Sequence, residues 1–489
     1  MIATLYAVSI AVLTIYGGNL LWMAVCFARR DTLRTGEVPE PNDLPPPPEP
    51  WPDVTVQLPL FNEPFVAERL IDACAELDYP RGRLEIQVLD DSTDATCERV
   101  AERVAFWQKR NIDINHIRRA HRQDYKAGAL QNGLQLARGT FIGIFDADFL
   151  PTPDFLLGTI PRFDDPQIGV VQTRWGHLNL DASLLTKVQA IGLDAHFAVE
   201  QQVRRDQGCY LNFNGTAGVW RRACIEDSGG WQGDTIAEDF DLSYRAQLRG
   251  WRFRFLGDVE VPAELPVTMG ALRSQQFRWA KGSVETARKL LRPLLASDAN
   301  RRIKLQGVIH LTAHFVFPFI LLATLLHAPL LILSSSGAGP GPVYFGLMSF
   351  GLVGFAGFVL VQVFAQRDLY PHWRHRLRVF PAFMAGTIGL SLHNSKAVLE
   401  AMLGKRSAFV RTPKFNVVPG LRASAGAAPH SFRQPRPPIA WLELILFFYS
   451  VGGLALLIAA GEWVAAPFQT IFAAGFGLVT LATFSSRGL

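Results

Sequence analysis

The chain has 489 residues, of which 49% are hydrophobic and only 19% charged, a balance outside that of ordinary soluble proteins. Its net charge of +5 does not indicate nucleic acid, because the basic residues gather at the borders of apolar runs, as in TLRTGE and PHWRHRLR, where they act as topology signals and meet anionic lipid headgroups. Five scattered cysteines, Cys26, Cys74, Cys97, Cys209 and Cys224, have no C-x-x-C spacing and argue against a disulfide framework or a zinc site, and no phosphate-cradling G-x-x-x-x-G-K-[ST] loop is present.

From Met1 to Phe27 no residue is charged, and about 20 apolar positions suffice to span a bilayer. The basic residues Arg29, Arg30 and Arg34 follow the run instead of preceding it, which argues for a retained helix over 1–28 with a cytoplasmic end and against a cleaved signal. Residues 29–52 include VPEPNDLPPPPEPWP, a stiff, extended spacer.

A domain is expected over 53–302, with β-rich runs alternating with helical stretches. Strand Val54–Leu58 precedes helix Val66–Leu77, Leu84–Leu89 precedes Ala95–Trp107, Ile112–Ile117 precedes Lys126–Ala137, and strand Phe141–Phe145 follows. Such alternation predicts an α/β, Rossmann-like, mostly parallel sheet with ligands beyond the carboxyl ends of the strands.

Between Leu305 and Gln366 there is no Lys, Arg, Asp or Glu, and SSSGAGPGP from Ser334 breaks the stretch, so 303–366 reads as a transmembrane hairpin. Residues 438–489 read as a second hairpin, Leu444–Gly461 and Trp463–Ser486, bounded by Arg433, Arg436 and Arg487. Between them, 367–437 should hold an amphipathic interfacial helix, Val379–Leu403, because spanning there would move Lys405, Arg406, Arg411 and Lys414 outside. The expected topology is five spans, N-terminus out and C-terminus in. His314, Asn19 and Trp22 inside the spans could line a path or pack helices.

Acidic residues stand where the strand pattern places a ligand crevice. Asp90, Asp91 and Asp94 follow one strand in LDDSTD, and Asp146 and Asp148 follow another in FDADF. Asp often caps the helix after a strand, but two clusters on successive strand ends favour a divalent cation shared with substrate phosphates. Glu238, Asp239 and Asp241 crowd the start of a further helix, where like charge could raise one pKa toward that of a general base or simply suit the helix dipole. In QQFRW, Arg278 could bridge phosphate oxygens and Trp279 could stack on a sugar ring, or both could mark the membrane border.

Taken in order, LDDSTD, FDAD, AED and QQFRW resemble the D, D-x-D, [TE]-D, Q-x-x-R-W signature of processive family 2 glycosyltransferases, the cellulose-synthase-like group. VQLPLFNE, KAGAL, FDADFLPTPDFL, VQTRWGHLN, FNGTAGVWRR, DLSYRAQLRGW and VPAELPV further resemble the plant A and C branch, which includes glucomannan and β-mannan synthases. The resemblance covers roughly Pro52 to Lys289 and implies a GT-A type α/β fold in an integral membrane protein of a bacterial inner membrane or a Golgi membrane, catalytic domain cytoplasmic. It implies donor contacts at Asp90, Asp91, Glu63, Lys126 and Asp146, and Mg²⁺ or Mn²⁺ on Asp146 and Asp148. Asp239 would be the base, and Gln275, Arg278 and Trp279 would meet the acceptor and diphosphate. Phe409, Thr412 and Lys414 resemble a gating loop, in which Arg411 stands where Val is usual. The implied reaction transfers a hexose from UDP-glucose or GDP-mannose, with inversion, to a β-linked polysaccharide; the alternative is a glycolipid synthase acting on a membrane lipid.

Overall fold

The computed structural model describes residues 1–30, 45–407, 410–416 and 437–485. Most of the proline-rich spacer, Phe409 and the border residues Arg34, Arg433, Arg436 and Arg487 lie outside the described residues.

Seven strands form one sheet: β1 (Val54–Leu60), β2 (Leu84–Asp90), β3 (Ile114–Ile117), β4 (Phe141–Ile144), β5 (Ile168–His177), β6 (Gly218–Arg221) and β7 (Arg252–Ala263). Their order is β3-β2-β1-β4-β6-β5-β7. β6 runs antiparallel to β4 and β5, and every other pairing is parallel. The carboxyl ends of the six parallel strands therefore share one edge of the sheet.

Alternation along β1 explains why both faces of the sheet are covered. Val54, Val56, Leu58 and Leu60 pack toward helices Ala67–Ala75 and Thr96–Gln108. Thr55 and Gln57 face the other way and are buried; they hydrogen-bond across the strands, Thr55 donating to Glu85 at 2.7 Å and Gln57 Nε2 to Gln87 Oε1 at 3.0 Å. Leu130, Ile142, Trp220 and Leu242 build the core on that second face, under helices Tyr125–Leu136 and Glu238–Leu248.

Among the described residues, five helices are long and apolar enough to cross a membrane: Ile2–Ala28, Ala313–Ser335, Pro342–Leu369, Ile439–Ala459 and Ala466–Phe484. The first packs closely on the third because Gly17 meets Gly354, where a Cβ on Gly17 would lie 2.4 Å from the facing Cα. Val379–Leu403 forms two short helices, Phe380–Gly389 and Ser391–Met402, broken at Leu390, each too short to span alone. Asn19 packs helices, accepting from Gln306 at 2.7 Å, and Trp22 joins an apolar cluster with Met23 and Val361.

Candidate active site

The parallel strand ends open onto one cavity, walled by the residues just after β1, β2 and β4, the 214–215 and 236–239 loops, and the helix Met269–Ala296. Of the first acidic cluster, Asp91 reaches the wall, gripped by Arg119 through both carboxylate oxygens at 2.8 and 2.6 Å. Asp90 is fully buried behind it, accepting from the Ser92 amide (2.8 Å) and His116 Nε2 (2.9 Å). Burial would raise its pKa, but these hydrogen bonds outweigh burial and hold the carboxyl below the usual range. Asp94 accepts from the Thr96 amide at 2.9 Å just ahead of the next helix. Adjacent acidic residues thus divide between the cavity and loop construction.

Asp146 and Asp148 both line the cavity, and each faces an ammonium. Lys126 Nζ lies 2.6 Å from Asp146 and 3.7 Å from Glu238, and donates to the Gly215 carbonyl at 2.8 Å. Burial opposes its charge, yet Asp146 and Glu238 outweigh burial and hold the Lys126 pKa above its usual range. Lys414 pairs with Asp148 and reaches the Glu264 carbonyl at 3.4 Å. No group of three or more His, Cys, Asp or Glu side chains among the described residues could enclose a metal ion. Two carboxylates, already positioned to balance positive charge, suit a hard cation that takes the rest of its shell from waters and a diphosphate.

The segment 410–416 lies across this cavity. Arg411 pairs with Glu63 at 2.6 Å and donates to the carbonyls of Phe61 and Asn62. Burial pushes the Glu63 carboxyl up to about 8 despite Arg411 and Lys414. Thr412 is buried in the wall, and the Phe415 amide donates to Glu264 at 2.8 Å. The Val-to-Arg departure at Arg411 therefore supplies an anchor that holds the segment to the β1 loop.

Asp239 lies in the first turn of the helix Glu238–Leu248 at the cavity wall. Its Oδ1 accepts from the Phe240 amide at 2.8 Å, while Oδ2 faces Gly215 with no hydrogen-bond partner among the described residues. Gly215 has φ +83°, and a Cβ there would sit 2.9 Å from Oδ2, so a side chain would crowd the carboxylate. Burial, reinforced by the Glu238 carboxylate, pushes Asp239 up to about 7, and burial also raises Glu238. The helix dipole and a cavity role thus coexist: one oxygen is anchored and the other is presented.

Gln275, Arg278 and Trp279 share one face of the helix Met269–Ala296 and line the cavity. Thr268 starts that helix by accepting from the Ala271 amide at 3.2 Å. Gly282 lets it approach the acidic loop, since a Cβ there would lie 2.6 Å from that of Ala237. Arg278 donates to the Val410 carbonyl at 2.6 Å, and burial lowers its pKa. Sequence reading singled out neither Glu264 nor His177, both cavity residues; each lies in a stretch that matched the resemblance but outside any acidic cluster.

Residues 52–282 match the family model described as Glycosyltransferase like family 2. Glucomannan 4-beta-mannosyltransferase 2 of Arabidopsis thaliana is 43% identical over 272 residues, 55% of this chain and 50% of that protein. Glucomannan 4-beta-mannosyltransferase 9 of the same plant is 36% identical over 345 residues, 68% of this chain and 64% of that protein. The chain spans about half the length of the first of these relatives. The solved mannosyltransferase PcManGT from Pyrobaculum calidifontis, in complex with GDP-Man and Mn²⁺, covers 83% of this chain and 100% of its own with a TM-score of 0.53 at 20% identity, a likeness of fold.

A mostly parallel sheet with acidic motifs on its carboxyl edge defines a GT-A type glycosyltransferase domain. Residues 52–282 form a glycosyltransferase family 2 domain, and the chain is similar to the plant glucomannan 4-β-mannosyltransferases of the cellulose-synthase-like group.

Proposed function

We propose that the chain is a membrane-integrated, inverting β-glycosyltransferase that moves a hexose from a nucleoside-diphosphate sugar to a growing β-linked polysaccharide. Likeness to glucomannan 4-β-mannosyltransferases favours GDP-mannose over UDP-glucose as donor. The observation that carries the reading is that Asp239, whose Oδ2 has no hydrogen-bond partner among the described residues, lines the same cavity as Asp146, Asp148 and Trp279.

In this reading Asp91 borders the nucleotide end, while Asp90 shapes its loop from behind. Asp146 and Asp148 would hold Mg²⁺ or Mn²⁺, which when bound neutralises charge on the departing diphosphate. Glu63, Lys126 and Arg278 sit around the donor phosphates, and Lys126 and Arg278 supply fixed positive charge there. Asp239 takes the proton of an acceptor hydroxyl as that oxygen attacks the anomeric carbon from the face opposite the diphosphate. One displacement inverts an α-linked donor to a β-glycoside and needs no sugar-enzyme intermediate. Thr412 and Lys414 close over the donor as part of the 410–416 segment.

Purified protein in lipid, given labelled GDP-mannose or UDP-glucose with Mg²⁺ or Mn²⁺, tests the reading. Labelled polymer that stays at the origin of a chromatogram is the expected result. A labelled lipid that migrates with solvent would make the chain a glycolipid synthase, and no transfer from either donor would overturn the proposal.

A further inference from the structure

Besides its carboxylates, the cavity is lined by Trp175, Leu193, Leu265 and Trp279, and His177 joins that lining at the end of β5. The His177 side chain is 3% exposed, and its Nε2 lies 2.8 Å from Asp194 Oδ1 on the helix Leu184–Ala195. Asp194, itself 1% exposed at the side chain, also accepts from Gln366 Nε2 at 2.8 Å, Arg376 at 3.2 Å and the Tyr370 hydroxyl at 3.3 Å. Arg376 is fixed in turn, donating to Gln366 Oε1 at 2.6 Å and lying 3.7 Å over the Tyr370 ring.

This network has a chemical consequence for the imidazole. Burial would push the Asp194 carboxyl up, but the hydrogen bond and charge of His177, the hydrogen bond from Gln366 and the charge of Arg376 outweigh burial and keep it below the usual range. An ionised carboxylate only accepts, so Nε2 carries the proton that binds Asp194. In the neutral imidazole Nδ1 is then the acceptor; it has no hydrogen-bond partner among the described residues, and His177 lines the same cavity as Trp175 and Trp279. A buried apolar wall with one aimed polar atom is how proteins orient a sugar: the aromatic faces take the ring and the polar atom selects a hydroxyl. Gln366 closes the apolar helix Pro342–Leu369, so the same carboxylate ties this wall to a candidate membrane span.

We propose that His177, held in one tautomer by Asp194, is a positioning residue that accepts a hydrogen bond from the acceptor sugar, and that Asp194 sets this part of the cavity in register with the Pro342–Leu369 helix. The proposal rests on the reading of the site as a glycosyltransferase and names the part of the cavity that reads the acceptor.

Two substitutions separate positioning from packing. His177→Gln places an amide N–H where Nε2 was and keeps the Asp194 bond, but leaves nothing at the Nδ1 position. His177→Asn places an oxygen at Nδ1 and gives up Asp194. With a short β-linked oligosaccharide as acceptor, His177→Gln should raise the acceptor KM ~10-fold, the order of one hydrogen bond. Its donor KM and its rate of donor hydrolysis to water should match the parent. His177→Asn should lose thermal stability yet keep an acceptor KM closer to that of the parent. A structural role predicts the reverse order, with Gln indistinguishable from the parent and Asn the damaged variant; that result would overturn the proposal. An equal fall of transfer and hydrolysis in His177→Gln would overturn it too, with the glycosyltransferase reading intact. A parent that neither transfers nor hydrolyses a nucleoside-diphosphate sugar would refute the functional reading itself and this proposal with it.

Discussion

Asp239 is held by one oxygen and presents the other, an arrangement that places two demands on a single side chain. A positioned base contributes about 10² to 10⁴ in rate, so Asp239→Asn should lose roughly that much turnover while donor affinity, measured by nucleotide-sugar titration, stays near that of the parent. Were the carboxylate only a helix-start group, Asn would serve nearly as well and turnover would fall little. The second demand concerns pH. Because Asp239 is pushed up to about 7, its base form fills only above that pH. The parent's kcat/KM should therefore fall about tenfold per unit as pH drops below 7 and level off above it. That acid limb should be missing from the residual activity of Asp239→Asn. Asp148 makes a separate prediction, since it faces Lys414 where a cation is proposed. Excess chelator should abolish transfer, Mg²⁺ or Mn²⁺ should restore it, and Asp148→Asn should need several-fold more metal for half-activation; full transfer in chelator would remove the metal from the mechanism.

The helix Met269–Ala296 carries Gln275, Arg278 and Trp279 to the cavity and is fixed at both sides. On the cavity side, Gly282 lies against Ala237 and Glu285 accepts from the Ile236 amide at 2.9 Å. On the other side, Arg273 is buried in an ion pair with Glu443 of the apolar helix Ile439–Ala459 and donates to Thr483 at 2.8 Å. Glu443→Ala leaves Arg273 buried without its carboxylate, a loss of about 3 to 5 kcal/mol that should lower the thermal midpoint in detergent. Combining Arg273→Met with Glu443→Leu should recover most of it, because an apolar pair removes the orphaned charge; no recovery would mean the pair does not join these helices. This pairing was not legible in the sequence, since its partners are 170 positions apart. The first four strands were legible from the alternation of β-rich and helical runs, with Val54–Leu58 running on to Leu60, whereas β5 and β7 were not singled out. Antiparallel β6 was not, because four residues, GVWR, carry too short a period to fix direction. Asp91 and Asp90 could not be told apart in LDDSTD either, since neighbouring strand-end residues point to opposite faces and only packing decides which meets the cavity.

At the scale of the whole molecule, five apolar helices among the described residues flank a sheet domain whose cavity is lined by residues from 59 to 414. The four motifs were legible because each keeps its residue types within a few positions. The pairings that complete the cavity, Arg411 with Glu63 and Lys414 with Asp148, join residues more than 260 positions apart and appear only once the chain is folded. A reporter fused after Gly337 should be extracytoplasmic and one after Lys414 cytoplasmic; an external signal at Lys414 would reverse the proposed placement of the catalytic domain. The central claim is a single displacement in which Asp239 deprotonates the acceptor, and its most direct test is the anomeric configuration of the first bond formed. NMR of the product made from an α-linked nucleoside-diphosphate hexose should show only a β-glycoside; an α-glycoside would contradict the account, because one displacement at that carbon cannot retain configuration.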